Sequence, residues 1–320
     1  MMCIVWIISV LLGLENAQAH DFLTNNPSII EESIRRAREE LPCQSTGFLC
    51  NMDTPSPPYS GSAVLLNPTT ALTAHHVVEK WQLDSETAKL CVDSDFLACP
   101  DLDLSANVET IIAYPTRTWR KLLPCEHQHY QFGQLGASFT DEDILRSRIR
   151  RVEEEIFVQQ GPDLAILKLK SPINLPSNTF LPLLPSAIDP RNVSGVRVFN
   201  PCFGMIHLNN GRLFQVRPSH KVAIRHLGIT NLTYTSNLKL FYERYEAPEF
   251  GTDKYLRQES HHPLQTKAAY GSSGSPFITK KGDKYYIAAI QSEAVQRDQI
   301  SYSIAIPVSP YLDWIQSYLD

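Results

Sequence analysis

The sequence predicts an all-β fold, either a sandwich or a barrel, with few helical stretches. From residue 59 onward, short apolar runs alternate with Gly, Pro, Asn and Asp turns, which is the pattern of half-buried strands. Many short strands with little helical periodicity are typical of all-β domains. The 320 residues are 43% hydrophobic and 20% charged, enough for a sizeable core. Strands are predicted at 61–66, 69–73, 108–113, 164–169, 196–199, 213–216, 276–279, 285–290 and 302–306.

The first 19 residues are predicted to be a secretory signal peptide. Residues 4–14 are almost wholly apolar but too short to span a bilayer, and Ala17-Gln18-Ala19 is a small-residue cleavage pattern. Because no Lys or Arg precedes the apolar run, an uncleaved anchor is the alternative. We expect a secreted or periplasmic/extracellular chain with no membrane contact after signal cleavage. The net charge of −5 shows no basic excess, so a nucleic-acid partner is not expected.

Residues 20–55 are predicted to form an N-terminal extension with one helix. The helix is predicted to run from residue 27 to about residue 41, because apolar residues at 30, 34, 37 and 41 fall on one face. Ser28 with Glu31 has the spacing of a capping box. The extension is either a propeptide or a helix packed on the domain. Residues 54–58, which are rich in proline, are predicted to be a linker.

Two further segments carry helical periodicity. Residues 140–158 allow two interpretations, because apolar residues at helical spacing are followed by a possible strand at 155–159. Residues 309–319 have Leu312, Ile315 and Leu319 in phase, which predicts a closing helix.

The cysteines indicate an oxidising compartment. Cys3 would leave with the signal peptide, and the even number that remains favours disulfides in an exported chain. We prefer pairs of cysteines that lie close together in the sequence. The sequence has no CxxC spacing, so a zinc site is not expected. The preferred pairs are Cys43–Cys50, Cys91–Cys99 and Cys125–Cys202.

Three separate stretches carry residues suited to acyl transfer. Residues 271–276 (GSSGSP) surround Ser273 with small residues, which allow a tight turn whose N–H groups converge on a developing oxyanion. Residues 72–78 (LTAHHVV) place two histidines after an apolar run, and residues 161–169 (GPDLAILKL) place Asp163 on a turn. A serine nucleophile needs a base of near-neutral pKa and an acid that orients that base.

The order of these residues excludes one class of hydrolase. All ten histidines precede Ser273, so the order Ser…Asp…His of the α/β-hydrolases is impossible with Ser273 as nucleophile. Ser275 also breaks their G-x-S-x-G pattern.

The blocks TAHHVV, PDLAILKL and GSSGSP resemble the active-site blocks of the trypsin/chymotrypsin-like serine proteases, nearest to bacterial HtrA-type and glutamyl-endopeptidase-like members. The stretches 61–78, 196–204 and 307–319 add to a resemblance that covers roughly residues 55–320. It implies two six-stranded antiparallel β-barrels of chymotrypsin type, with a C-terminal helix and the N-terminal helical extension. The implied domains are a signal peptide (1–19), the extension (20–55), a first barrel (56–180), and a second barrel with the C-terminal helix (181–320).

The resemblance also assigns roles to residues. It implies a catalytic triad of His76, Asp163 and Ser273, with His75 as a structural neighbour of the base. The backbone N–H groups of Gly271 and Ser273 would form the oxyanion hole, and Ser292 would lie near the aspartate and the substrate backbone. The pocket for the side chain before the scissile bond would contain Lys267 and Ala268.

Two departures from the family pattern matter. Ser272 stands where activatable members have an aspartate that pairs with a newly cut N-terminus, and no Ile-Val-Gly-Gly-like start is present. Activation by that ion pair is therefore not expected. The long interval between His76 and Asp163 predicts an insertion that holds Cys91, Cys99 and Cys125.

The implied function is that of a secreted serine endopeptidase that acts on protein or peptide substrates after non-basic residues, without a cofactor or metal. Lys267 in place of an acid leaves nothing to pair with a substrate cation. The alternative is a catalytically silent binding module that keeps the protease fold.

The pairs His127/His129 and His261/His262 could bind a metal, but surface loop histidines are the more common explanation.

Overall fold

The computed structural model describes residues 20–21, 26–51, 59–79, 88–92, 104–115, 118–121, 149–152, 155–160, 162–185, 196–204, 206–207, 224–234, 256–259, 272–297 and 300–319. These residues are mostly β-strand. The helices are α1 (Pro27–Glu39), α2 (His75–Val78) and α3 (Leu312–Gln316), with 3-10 turns at Leu41–Cys43, Ser177–Thr179 and Ser309–Tyr311. The strands are β1 (His20–Asp21), β2 (Thr46–Asn51), β3 (Tyr59–Asn67), β4 (Thr70–Thr73), β5 (Ala88–Cys91), β6 (Ser105–Ala113), β7 (Thr118–Lys121), β8 (Ile149–Val152), β9 (Glu155–Gln160), β10 (Ala165–Leu169), β11 (Val196–Gly204), β12 (Ile206–His207), β13 (Ile224–Tyr234), β14 (Leu256–Glu259), β15 (Pro276–Lys281), β16 (Lys284–Arg297) and β17 (Ile300–Pro307).

Six antiparallel strands close into a barrel in the order β10–β4–β3–β2–β5–β6. Closure is visible at Ile166, which pairs with Leu72 on β4 and with Ile112 on β6. Inward-facing Val, Leu and Ile side chains fill the barrel, as the alternation of a small barrel requires. The all-β prediction and the six-stranded antiparallel barrel are confirmed for this half of the chain.

The predicted boundary of this barrel at residue 56 is wrong, because strand β2 lies before it. Phe48 on β2 pairs with Ser62 on β3 and with Cys91 on β5, so β2 forms part of the barrel wall. The N-terminal extension therefore shrinks to the residues before Thr46. The sequence pattern did not predict this strand, because its glycine and cysteine interrupt the alternation of apolar and polar residues.

The second half of the chain forms another six-stranded antiparallel sheet, ordered β11–β13–β14–β17–β16–β15. Strands β11 and β13 pair along nine residues, from Val196 to Gly204. Strand β11 also pairs with β15, at Val198 with Thr279 and at Phe199 with Ile278. The long strand β16 carries a register shift just after Gln291, which re-aims the residues that follow.

Helix α1 lies on strand β13 of the second sheet. Its side chains at 30, 34 and 37 are buried, and Ser33 reaches across to Leu227. The Ser33 hydroxyl donates to the Leu227 carbonyl at 2.8 Å and accepts from the Leu227 N–H at 3.0 Å. The predicted capping box is wrong, because the cap is Asn26, whose side chain accepts from the Ser28 N–H at 3.1 Å. The predicted start at Pro27 agrees with the structure, where proline occupies the first helical position.

The C-terminal segment leaves the second sheet and packs against the first barrel. The predicted closing helix is confirmed, although its first turn, Ser309–Tyr311, is a 3-10 helix. The Asn67 side chain donates to the Leu319 carbonyl at 2.9 Å, and the Lys168 ammonium donates to the Tyr318 carbonyl. The C-terminus thus ties the two halves of the chain together.

The ambiguous segment at 140–158 is strand wherever it is described. Strands β8 and β9 form a hairpin, and β7 pairs with the other edge of β9. Residues 140–148, the predicted strand at 213–216 and the signal segment 1–19 lie outside the described residues. Within the described part of the chain, no helix is both long and apolar enough to cross a membrane.

The structure contradicts two of the three preferred cysteine pairs. Cys43, Cys50 and Cys202 are buried thiols, so the pairs Cys43–Cys50 and Cys125–Cys202 are wrong. Cys91 is disulfide-bonded, and its partner lies outside the described residues.

The physical reason is that spacing along the chain does not say which core a cysteine enters. Cys43 packs with Ala37 and Leu227 beneath α1, whereas Cys50 packs with Phe203 and other residues between the two sheets. Burial raises the pKa of the Cys43 thiol to about 12 and that of Cys50 to about 11, and it raises the pKa of Cys202 as well. These thiols therefore stay protonated at neutral pH.

Candidate active site

His76 lies on the short helix α2, which begins two residues after strand β4 ends. Its neighbour His75 is turned inward and is only 3% exposed to solvent, whereas 35% of the His76 side-chain surface is exposed. The Nδ1 atom of His76 lies 2.5 Å from Oδ2 of Asp163, and the His76 N–H donates to Oδ1 of the same carboxylate at 2.9 Å. The two bonds fix both the backbone and the ring of His76 relative to Asp163.

Asp163 lies on the turn that precedes strand β10 and is fully buried. The turn is held by the Leu164 N–H, which donates to the Pro162 carbonyl, and by the Tyr114 N–H, which donates to the Leu164 carbonyl. A buried carboxylate is costly unless donors surround it. Besides His76, the carboxylate accepts from the Ser292 hydroxyl at 2.6 Å.

Ser273 lies in a tight turn that leads into strand β15. The turn is closed by the Ser275 N–H, which donates to the Ser272 carbonyl at 3.0 Å. Gly274 has φ = +84° and donates its N–H to the Gln291 carbonyl at 2.7 Å. The Ser273 hydroxyl donates to the Ser292 carbonyl at 3.1 Å. No hydrogen bond among the described residues uses the Ser273 N–H.

The turn is pressed against strand β3 of the first barrel. The Ser62 N–H donates to the Ser273 carbonyl at 2.8 Å. A Cβ atom on Gly61 would lie 2.8 Å from that same carbonyl oxygen, and a Cβ atom on Gly274 would overlap the Ser62 carbonyl and the Thr73 hydroxyl. Glycine is therefore required at both positions for this backbone approach.

Neutral side chains lie behind the turn, inside the second sheet. The Asn200 amide donates to the Ser275 hydroxyl and to the Pro276 carbonyl, each at 3.0 Å. The Asn200 Oδ1 and Gln291 Oε1 atoms are buried, and neither accepts a hydrogen bond from the residues that the structure describes. Among the residues whose burial the structure describes, Asp163 is the only buried carboxylate.

Four sequence-predicted site residues come together in one hydrogen-bonded cluster: His76, Asp163, Ser273 and Ser292. The other predicted site residues lie outside the described residues: Gly271, Lys267 and Ala268. So do the four histidines at 127, 129, 261 and 262. Within the described ranges, no group of three His, Cys, Asp or Glu side chains is placed to hold a metal ion.

Sequence reasoning missed Ser62, which joins the serine turn to the first barrel. No signal could have found it, because a serine in the apolar run 61–66 looks like any small residue on a barrel strand.

No protein-family model matches the chain, and no curated protein matches it at a significant level.

Proposed function

We propose that the protein is a serine endopeptidase of the trypsin/chymotrypsin-like kind, with Ser273 as nucleophile, His76 as general base and Asp163 as the acid that orients it. The observation that carries the proposal is that one buried carboxylate bonds the His76 ring and Ser292, whose carbonyl in turn holds the Ser273 hydroxyl. These residues are contributed by three distant stretches of chain. A purely structural cluster would not need a histidine side chain that is 35% exposed.

In the proposed mechanism, the Ser273 hydroxyl leaves the Ser292 carbonyl and donates to Nε2 of His76. His76 takes the proton as Oγ attacks the peptide carbonyl, and then returns it to the leaving amine. Water repeats the cycle and hydrolyses the acyl-enzyme. Asp163 keeps the Nδ1 proton in place through the 2.5 Å contact and stabilises the imidazolium that forms.

The oxyanion of the tetrahedral intermediate would be stabilised by the N–H groups of Ser273 and Gly271. The Ser273 N–H supports this role, because it is not committed to another acceptor among the described residues. Preorganised donors of this kind are among the largest single contributions to acyl-transfer catalysis.

We infer cleavage after non-basic residues, apolar ahead of acidic. Lys267 and Ala268 are the residues that the family resemblance assigns to the pocket. The described part of the site supports the inference, since its buried groups near Ser275 are neutral amides. Burying a substrate cation without a paired carboxylate is costly.

The proposal extends to architecture and location. We infer that the second sheet is the second barrel of a chymotrypsin-type pair, with the active site in the cleft between them. Pairing of β15 with β11 supports this. The signal-like segment 1–19 supports export, and a protein or peptide substrate needs no cofactor here.

The test is covalent labelling of the folded, secreted chain with a serine-directed fluorophosphonate. We expect one adduct, located by mass spectrometry at Ser273, and its loss in Ser273→Ala and in His76→Ala. Ser177→Ala, which changes an exposed serine away from the site, is the matched control and should label normally. Folded wild-type protein without an adduct at Ser273 would favour the catalytically silent binding module.

A further inference from the structure

We propose that Ser62 is a positioning residue for the proposed reaction, which keeps the serine turn in register with the first barrel and with the second sheet. The inference rests on the proposed function and adds to it a residue that touches none of the reacting atoms.

Ser62 is fully buried and bonds in three directions. Its N–H donates to the carbonyl of Ser273 at 2.8 Å. Its carbonyl accepts from the hydroxyl of Thr73 at 2.7 Å, on the strand that leads to His76. Its own hydroxyl accepts from the N–H of Phe203 at 3.1 Å, on strand β11 of the second sheet. Ser62 therefore joins the turn that carries Ser273, strand β4 and strand β11 of the second sheet.

The backbones of the turn at residues 272–275 and of strand β3 are in direct contact at this junction. Because a Cβ atom on Gly274 would overlap the Ser62 carbonyl, the turn and strand β3 meet backbone to backbone. A small displacement of β3 is thus passed directly to the carbonyl of Ser273 and to the orientation of its hydroxyl. A misplacement of about 1 Å can lower an enzymatic rate by about 100-fold.

The side-chain part of the junction sets where β3 lies relative to β11. Phe203 is fully buried, and its N–H is satisfied by the Ser62 hydroxyl. Removing the hydroxyl leaves a buried donor without a partner, which the chain relieves by moving the strands or by admitting water. Packing around Phe203 limits that movement. The centre of its ring lies 5.1 Å from the centre of the Phe48 ring, in an edge-to-face arrangement, and 5.2 Å from the Cζ atom of Arg225. The expected result is a shifted active site in a folded protein.

The experiment measures kcat and KM for Ser62→Ala, with the number of competent sites counted by fluorophosphonate titration. We expect kcat per titrated site to fall about 10-fold, with KM within about twofold of wild type, because no group that touches substrate changes. Ser45→Ala is the matched control. It removes a buried serine hydroxyl next to the same barrel, but one that makes no hydrogen bond within the described part of the chain, and should leave kcat per site unchanged.

A merely structural role for Ser62 predicts a different result. Fewer sites would titrate, but each would turn over at the wild-type rate, and this would overturn the proposal. If Ser62→Ala gives no folded protein, Thr73→Val takes its place, since it removes the donor to the Ser62 carbonyl. The same loss of kcat per site is expected, and an unchanged value would again overturn the proposal. Wild-type protein that does not titrate at all would instead overturn the proposed function.

Discussion

Ser292 donates its hydroxyl to Oδ2 of Asp163 at 2.6 Å, and this is the oxygen that faces the His76 ring. The two residues are 129 positions apart, one on a strand of the second sheet and the other on a turn of the first barrel. The contact therefore couples the packing of the two halves to the orientation of the histidine. The carboxylate can hold His76 only while both halves stay in register.

Replacing Asp163 with asparagine should lower kcat by about 10⁴-fold. Asparagine has one acceptor oxygen in place of two, so it cannot accept from the His76 N–H at one position and from the His76 ring and Ser292 at the other. If its NH2 group faces the ring, the ring is held in the wrong tautomer. Steady-state hydrolysis and the rate of fluorophosphonate labelling measure the effect. Asp313→Asn, at an exposed position on α3, is the matched control and should be as active as wild type. A loss below about 10-fold would show that Asp163 does not orient the base.

The members of the hydrogen-bonded cluster could be selected from the sequence because the proposed chemistry needs particular side chains in a particular order. Ser273, His76 and Asp163 each follow a turn or a strand end, and these positions can be read from Gly, Pro and apolar runs. The choice of His76 over His75 came from the family resemblance, and the structure turns His76 toward Asp163.

The connections between elements were not predictable from the same patterns. Helix α1 was visible, but whether it packs on the domain depends on the long-range contact of Ser33 with Leu227. Cysteine count predicted disulfides, yet Cys43 and Cys50 enter different apolar clusters. Apolar periodicity identifies the buried face of a single helix or strand. The packing of α1 and the environments of the two cysteines depend on which other element covers that face.

Ser33→Ala should destabilise the folded chain by about 1–3 kcal/mol, because it leaves the buried N–H and carbonyl of Leu227 without the partner they share. Urea denaturation gives the free energy of unfolding. Ser28→Ala changes an exposed serine of the same helix, whose described bond uses only its backbone N–H, and should cost less than about 0.5 kcal/mol. Equal costs for the two variants would mean that α1 does not stabilise the second sheet.

Native protein should resist alkylation at its buried thiols. Cys43, Cys50 and Cys202 are buried, and burial raises the pKa of each, so little thiolate is present near pH 8. Titration of denatured but unreduced protein with Ellman's reagent should reveal these three thiols, and native protein should show none of them. Denatured protein with no reactive thiol would contradict this cysteine assignment.

The free energy of unfolding should fall as the pH rises above about 9. Burial raises the pKa of Cys43 from 9.0 to about 12, so between these values the unfolded chain loses this proton and the folded chain keeps it. The stabilising contribution is complete below pH 9.0 and is lost as the pH rises toward 12, at ~1.4 kcal/mol per pH unit. Urea denaturation of wild type and Cys43→Ala should give a shallower pH dependence for the variant. Parallel curves would show that Cys43 titrates alike in both states.

Gly274→Ala should abolish activity and destabilise the protein. Gly282→Ala should keep its activity and should be destabilised less. Both glycines have positive φ, +84° and +57°, so each alanine variant bears the backbone strain of about 1–2 kcal/mol. They differ in space, because a Cβ atom on Gly282 meets nothing within 4 Å, whereas one on Gly274 would overlap the Ser62 carbonyl and the Thr73 hydroxyl.

The difference between the two glycine variants therefore isolates the contact between the serine turn and strand β3 from backbone strain. Thermal unfolding and fluorophosphonate labelling measure stability and the competence of Ser273 separately. We expect Gly282→Ala to label at the wild-type rate, and Gly274→Ala to label at least about 100-fold more slowly, because its turn must move away from Ser62. Equal labelling by the two variants would mean that the close approach of the turn to the first barrel does not position the nucleophile.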